Sequence, residues 1–148
     1  MWSQLFFGGI VSLFNFGIHA LMSGLVVEVT RHAAKRTDHL HAFMRLIALL
    51  TVTMIFLMVA HVVEIGVWTI YYYWEHAAPQ GTTAFEFAFE NYTALGYGEP
   101  APPPGKRLIG PITSLNGLLL IGWSVAIIFE VMRMAEVQFG RLSEKEES

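Results

Sequence analysis

Three long stretches of this chain contain no Asp, Glu, Lys or Arg: residues 1–27, 46–63 and 108–129. A helix that crosses a bilayer needs about 20 mostly apolar residues, because it rises ~1.5 Å per residue through a hydrocarbon core ~30 Å thick. The whole chain is 54% hydrophobic and only 14% charged. A soluble bundle would need a polar outer face on each helix, and these stretches lack one. The sequence therefore predicts an all-α membrane protein with three transmembrane helices.

The composition also limits the function classes open to this chain. With no Cys it has no disulfide and no thiolate metal site, and its net charge of −3 argues against nucleic acid as a partner. The start, MWSQLFFGG, lacks the basic n-region of a secretory signal, so we expect it to belong to the first helix. No predicted helix carries Arg at every third position, which excludes a voltage sensor.

Basic residues cluster between the first two predicted spans, where Arg31, Lys35, Arg36 and Arg45 outnumber the single acid Asp38. Short loops rich in Lys and Arg beside membrane-spanning helices stay in the cytoplasm. An odd number of crossings then puts the N-terminus outside and the C-terminus in the cytoplasm. We predict a multi-pass protein of the plasma (inner) membrane, in contact with membrane lipids.

A short helix is predicted between the second and third spans. The aromatic cluster TIYYYW at 69–74 is typical of a membrane interface, and Pro79 stops the helix beyond it. Thr83 and Glu86 form a capping-box pattern for a new helix. Residues 84–93 allow only two or three turns, too short to span a bilayer. We therefore expect a re-entrant helix.

The stretch TALGYGEP at 93–100 follows this short helix. Gly96 and Gly98 have no Cβ, so they can adopt positive φ and turn successive carbonyls the same way. Irregular backbone at membrane depth is tolerated only where it is buried in protein or lines a water-filled path. Four such strands around an axis would make carbonyl rings that replace an ion's hydration shell, which requires an oligomer. A simple Gly-Tyr-Gly surface turn is the alternative.

The segment TALGYGE at 93–99 resembles the selectivity-filter signature of potassium channels, usually written T-V-G-Y-G-D. The resemblance extends over about residues 45–133 and includes an outer helix, a pore helix, the filter and an inner helix. It implies a homotetramer through which ions pass in single file.

The same resemblance implies the ion-contacting residues. Those of the filter are Thr93, Ala94, Leu95, Gly96, Tyr97 and Gly98. Potassium ions, the only bound species implied, would be held by the carbonyl oxygens of Ala94, Leu95, Gly96 and Tyr97. The chain departs from the family at Ala94, where a Thr hydroxyl usually helps to form the innermost ion site, so we expect a weaker innermost site.

The predicted organisation adds one N-terminal helix to a pore domain. Its parts are an extra transmembrane helix at 1–30, a basic cytoplasmic loop at 31–41, the pore domain at 42–134 and a charged cytoplasmic tail at 135–148. Within the pore domain we place the outer helix at 42–75, the pore helix at 83–93, the filter at 93–99 and the inner helix at 107–134.

Glu90 and Glu99 are predicted to support the filter. In some bacterial members of the family an acid occupies the matching pore-helix position and shares a proton with the acid after the filter. Two carboxylates in one buried space cannot both ionise cheaply, so one pKa rises. We hypothesise that this pair governs filter inactivation; the alternative is a Glu90 that faces solvent or binds backbone.

Small residues line one face of the last predicted helix. Gly110, Ser114 and Gly117 follow one another at steps of four and three. Gly117 lies where the family often has a hinge glycine, and Gly122 is a second candidate for a gating hinge. Close helix packing is an equally good interpretation of this face.

His19, His61 and Glu64 are ionisable residues within predicted spans, which by default indicates function. His61 and Glu64 are three residues apart and share a helix face. We expect a hydrogen-bonded His–Glu cluster that docks the first helix on the second. Proton sensing near neutral pH and a metal site remain alternatives.

The sequence therefore predicts a potassium-selective, or potassium-preferring, cation channel that conducts passively, and no enzymatic activity. The alternatives are a non-selective monovalent cation channel, a non-conducting membrane adaptor and a metal-binding helical protein. The predicted partner is the chain itself in a homotetramer, and no regulatory partner is indicated.

Overall fold

The computed structural model describes residues 2–36, 41–96 and 102–146 and contains four helices in those ranges. They are α1 (Trp2–Arg36), α2 (Ala42–Trp74), α3 (Ala84–Tyr92) and α4 (Ile109–Glu146). No strand occurs among these described residues. The predicted all-α fold is confirmed.

Three of the helices contain segments long and apolar enough to cross a membrane: Trp2–Ala33, Phe43–Trp74 and Ile109–Glu136. Large apolar side chains on these helices are exposed, among them Leu13 (71%), Met58 (58%) and Phe129 (66%). Such side chains favour lipid tails over water as surroundings. The chain is a membrane protein with three helices of spanning length.

Two helices are longer than the sequence predicted. α1 continues to Arg36, into the predicted basic loop at 31–41, and α4 continues to Glu146, through most of the predicted tail at 135–148. Both extensions are rich in good helix formers such as Ala, Arg, Lys and Glu, and neither contains a proline. Charged residues limit the apolar segment of such a helix, but the helix itself can continue through them.

The short helix α3 begins as predicted. Thr83 is its N-cap, and the Thr83 hydroxyl accepts a hydrogen bond from the Glu86 N–H at 3.1 Å. The Thr83 N–H donates in return to the Glu86 carboxylate at 2.9 Å. This capping box satisfies two donors that the first turn would otherwise leave unpaired.

The chain divides into two compact units, each with its own core. The first unit comprises Met1–Ala20 and Ala60–Gly122, and the second comprises Leu21–Val59 and Trp123–Ser148. The core of the first unit is built on buried aromatic rings, including Trp68, Tyr72, Phe87 and Tyr92. The core of the second unit is aliphatic and includes Val26, Leu49, Leu57, Ile127 and Val131.

Within the first unit, the start of α1 is bound to the segment that leads into α4. The Gln4 side-chain amide donates to the Gly105 carbonyl, and its oxygen accepts from the Leu108 N–H at 3.2 Å. Lys106 pairs with Glu75 at the end of α2. These contacts fix the position at which α4 begins relative to α1 and α2.

Candidate functional site

The short helix α3 is held in place by one buried face. Phe87, Ala88 and Tyr92 are its buried residues, and the Phe87 ring meets the Tyr72 ring edge-on with centroids 5.3 Å apart. At the exposed N-terminus, hydrogen bonds from the Thr83 backbone N–H and hydroxyl hold the pKa of the Glu86 carboxyl below its usual value. The helix is therefore anchored at both ends, by packing and by its cap.

The backbone changes direction directly after α3. Three N–H groups bond back to helix carbonyls: Thr93 to Phe89 at 3.0 Å, Ala94 to Asn91 at 3.0 Å and Leu95 to Glu90 at 3.1 Å. The φ angle is then positive at Ala94 (54°) and at Gly96 (56°), but not at Leu95 between them. Positive φ is uncommon for a residue with a Cβ, so Ala94 is held in this conformation by its surroundings.

The predicted filter residues are only partly within the described ranges. Ala94, Leu95 and Gly96 are exposed in the single chain. The Thr93 hydroxyl bonds back to the helix, 3.0 Å from the Phe89 carbonyl and 3.2 Å from the Glu90 carbonyl. Tyr97 and Gly98 lie outside the described residues.

Of the two carboxylates predicted to support the filter, Glu90 lies within the described residues and Glu99 does not. Glu90 is partly buried, and its carbonyl accepts the bonds from Thr93 and Leu95. Glu99 lies outside the described residues, so the pairing of the two carboxylates stays a prediction.

Small residues of α4 lie against the C-terminal end of α3. A Cβ placed on Gly117 would lie 2.0 Å from the Tyr92 carbonyl oxygen, and one on Gly110 would lie 2.6 Å from the Asn91 Oδ1. Between them, the Ser114 hydroxyl donates to the Asn91 carbonyl at 2.7 Å. This face of α4 allows the close approach of two backbones.

The two glycines predicted as hinges therefore have different surroundings. Gly117 is required by packing, because any side chain would collide with the backbone of α3. A Cβ on Gly122 would meet no atom within 4 Å. A hinge role for either glycine stays a prediction.

The three ionisable residues predicted as a polar cluster lie together. The Glu64 carboxylate is hydrogen-bonded to three side chains. His19 Nδ1 lies at 2.8 Å, His61 Nδ1 lies at 3.1 Å, and the Tyr92 hydroxyl donates at 2.5 Å. The His19 and Glu64 side chains are fully buried. The expected contact between the first and second helices is present, and it also includes the end of α3.

A second set of buried polar groups extends this cluster to α4. Asn116 Oδ1 accepts from Trp68 Nε1 at 2.8 Å and from Asn15 Nδ2 at 3.2 Å. The same Asn15 amide group lies 3.2 Å from the Glu64 carbonyl. One connected network of hydrogen bonds thus joins all four helices within the first unit.

The sequence did not lead us to expect Trp68, Tyr92 or Asn116 in this network. Asn116 could have been found, because it is a polar residue in a stretch of 22 residues, 108–129, without charge. Nothing in the sequence separates Tyr92 and Trp68 from the other interfacial aromatic residues. Their hydrogen bonds depend on partners 28 and 48 positions away.

A protein-family model described as Ion channel matches residues 46–134. The matched region comprises most of α2, all of α3 and α4 as far as Met134, and it leaves α1 outside. No curated protein and no solved structure matches this chain. The family model covers more than half of the chain, and it contains the short helix and the loop whose geometry is described above. The chain belongs to this ion channel family.

Proposed function

We propose that four copies of this chain form a channel that conducts potassium ions passively, with a preference for potassium over sodium. Membership of the ion channel family supports conduction, and the Gly-Tyr-Gly sequence after α3 supports potassium as the ion. The predicted carbonyl ligands are those of Ala94, Leu95, Gly96 and Tyr97.

The observation that carries this proposal is the alternation of φ after α3, positive at Ala94 and Gly96 but not at Leu95. Positive φ at alternate residues allows the carbonyls of neighbouring residues to point towards one side, as an ion-coordinating strand requires. The exposure of these residues in a single chain fits a strand whose partners are other copies of the chain. One strand offers oxygens from one side only, so the proposal requires an oligomer.

The proposed orientation rests on charge. Arg31, Lys35, Arg36 and Arg45 lie at the ends of α1 and α2 that face the same connector. This excess of basic residues supports a cytoplasmic connector and an external N-terminus in the plasma membrane. The extra helix α1 would then contribute His19 and Asn15 to the support of the pore.

A poorly selective monovalent cation channel is the second candidate. The observation in its favour is Ala94, which supplies a methyl group where the potassium-channel signature supplies a hydroxyl. The Thr93 hydroxyl is bonded back to α3, so it does not replace the missing group. The innermost ion site would then depend on carbonyl oxygens alone.

The test is the reversal potential of the purified protein in planar bilayers with mixed sodium and potassium. Selective conduction places the reversal potential near the potassium equilibrium value, whereas the second candidate places it near zero in symmetrical total salt. Absence of any cation current from a correctly assembled protein would contradict both and favour a membrane adaptor.

The Ala94→Ser variant tests the innermost site. Ser adds a hydroxyl without the second Cβ branch that would be strained at a φ of 54°. We expect a higher potassium-to-sodium permeability ratio than in the wild type. Ala94→Gly is the matched control, because it accepts the same φ without a hydroxyl and should not raise the ratio.

A further inference from the structure

The polar cluster of α1, α2 and α3 brings together three side chains of the metal-binding types, and it reaches Tyr92, directly before the first predicted filter residue. We propose that His19, His61 and Glu64 bind one divalent transition-metal ion of the Zn²⁺ class per chain. The three residues offer ligand atoms that all lie within 4.8 Å of one another. Two imidazole nitrogens and one carboxylate oxygen form a donor set that holds zinc in many proteins.

Two of the donor distances lie a little below those around a four-coordinate ion, and the third pair of donors lies within 4.8 Å. Metal–nitrogen and metal–oxygen bonds of about 2.0–2.2 Å in a tetrahedron hold ligand atoms about 3.4 Å apart. The Nδ1 atoms of His19 and His61 lie 2.8 Å and 3.1 Å from the two Glu64 oxygens. An increase of a few tenths of an ångström in these distances would make room for the ion.

The Tyr92 hydroxyl contacts two of the three proposed ligands. It is 2.8 Å from His61 Nδ1 and 2.5 Å from Glu64 Oε2. This oxygen can complete the coordination or hold a water molecule that does so. Asn15 donates to the Glu64 backbone carbonyl at 3.2 Å, which limits movement of the residue that carries the carboxylate.

Burial and ligand type select the class of ion. The Glu64 carboxylate is fully buried, and an ionised carboxylate without water is stabilised by a dication. Imidazole nitrogen suits Zn²⁺, Co²⁺, Ni²⁺ and Cu²⁺, whereas Mg²⁺ and Ca²⁺ require oxygen ligands throughout. Potassium offers neither the charge nor the preference for nitrogen, so this site is distinct in chemistry from the filter.

The position of the site gives it a consequence for conduction. His19 comes from α1, His61 and Glu64 come from α2, and Tyr92 precedes the first predicted filter residue. A bound ion would replace the hydrogen bond between the Tyr92 hydroxyl and the Glu64 carboxylate, and so change the support at the base of the filter. This consequence rests on the proposed channel function, whereas metal binding itself does not.

The direct test is Co²⁺ titration of the full-length protein in detergent without a polyhistidine tag. We expect one Co²⁺ per chain with the intense visible absorption of a tetrahedral site, displacement by Zn²⁺ and no displacement by Mg²⁺. The His19→Ala variant should weaken Co²⁺ binding by at least about 100-fold. His32→Ala is the matched control, because His32 is exposed and lies 3.2 Å from Glu28 on the same helix.

Three results would overturn the proposal: no Co²⁺ binding to the wild type, an octahedral spectrum, or binding lost in His32→Ala but kept in His19→Ala. If His19→Ala fails to assemble, the Co²⁺ spectrum of the wild type and Co²⁺ binding by the His61→Gln variant test the proposal instead. His61→Gln should bind Co²⁺ more weakly than the wild type. Zn²⁺ inhibition of cation current, absent in His19→Ala, would support the coupling to the filter. Metal binding without any effect on current would overturn the coupling alone.

Discussion

The two units of this chain are built from the same three long helices but have different interiors. The first unit buries Asn15, His19, Glu64 and Asn116 among large aromatic rings. The second unit has an aliphatic cluster without large aromatic rings at its centre, and the buried polar residues in its described part carry no carboxylate: Ser23, Thr30, Arg45, Thr53 and Ser124. The hydroxyl oxygens of Thr30 and Thr53 are 3.3 Å apart. The first unit also contains α3 and the predicted filter.

We relate this difference to the short helix α3, which the first unit has to hold in position. In lipid, apolar burial does little to drive helices together, because lipid tails are as apolar as Leu. Hydrogen bonds between helices have direction, so they can fix the rotation and depth of a short helix that packing alone would leave adjustable. In its described residues, the second unit contains stretches of the three long helices and no short helix that has to be positioned.

Glu64→Ala should give the largest effect, because three donors in the first unit lose their common acceptor. We expect the protein to lose about 3 kcal/mol of stability, since buried donors without partners are costly. SDS-induced unfolding of the detergent-solubilised protein would measure this loss of stability.

Glu130→Ala is the control for this change. Glu130 is an exposed carboxylate that pairs with Arg133 on the same helix. Its loss should leave stability unchanged. Equal losses in the two variants would show that the buried network has no special role.

Gly117→Ala should destabilise the protein by about 2 kcal/mol, because the new Cβ would lie 2.0 Å from the Tyr92 carbonyl oxygen. Gly122→Ala is the matched control on the same helix and should be neutral or slightly stabilising, since nothing lies within 4 Å. Thermal unfolding compares the two variants. If Gly117→Ala kept full stability but altered opening of the channel, that result would favour a gating hinge at Gly117 over a packing role.

Thr83→Ala should cost about 1 kcal/mol, because α3 loses its N-cap. Hydrogen exchange of the α3 amides is the suitable measurement, since the effect is local. The pKa of Glu86 is lowered in the folded protein, mainly by the Thr83 backbone N–H. Its contribution is therefore present above the ordinary carboxyl pKa and is lost as the pH falls through the lowered value. The protection of the α3 amides, taken relative to their intrinsic exchange rate at each pH, should fall on acidification, and Glu86→Gln should remove that acid dependence.

Thr30→Val should have the smallest effect, about 0.6 kcal/mol or less, because it removes one hydroxyl contact between helices in the second unit. The Thr53 hydroxyl keeps its bond to the Leu49 carbonyl at 2.9 Å. SDS-induced unfolding would compare the loss of stability in Thr30→Val with that in Glu64→Ala. A loss as large as that of Glu64→Ala would remove the contrast between the units.

Much of the fold was predictable from local pattern. Charge-free stretches predicted the spans, and Thr83 with Glu86 predicted the start of α3, because both features act within a few residues of the chain. The observed α1 and α4 extend beyond their predicted ends, because hydropathy falls where a helix leaves the membrane and not where the helix stops. The shared site of His19, His61 and Glu64 was expected from their rarity in membrane spans.

The sequence alone determined the three spans, the capped short helix and the residues from which a filter could be made, because hydropathy, capping and glycine freedom are local properties. Only the tertiary structure decided that Tyr92 shares the Glu64 carboxylate with two histidines, and that Gly117 permits α4 to touch the backbone of α3. Such contacts depend on how helices rotate and approach one another. That arrangement follows from the packing of all their side chains together, which no single segment specifies.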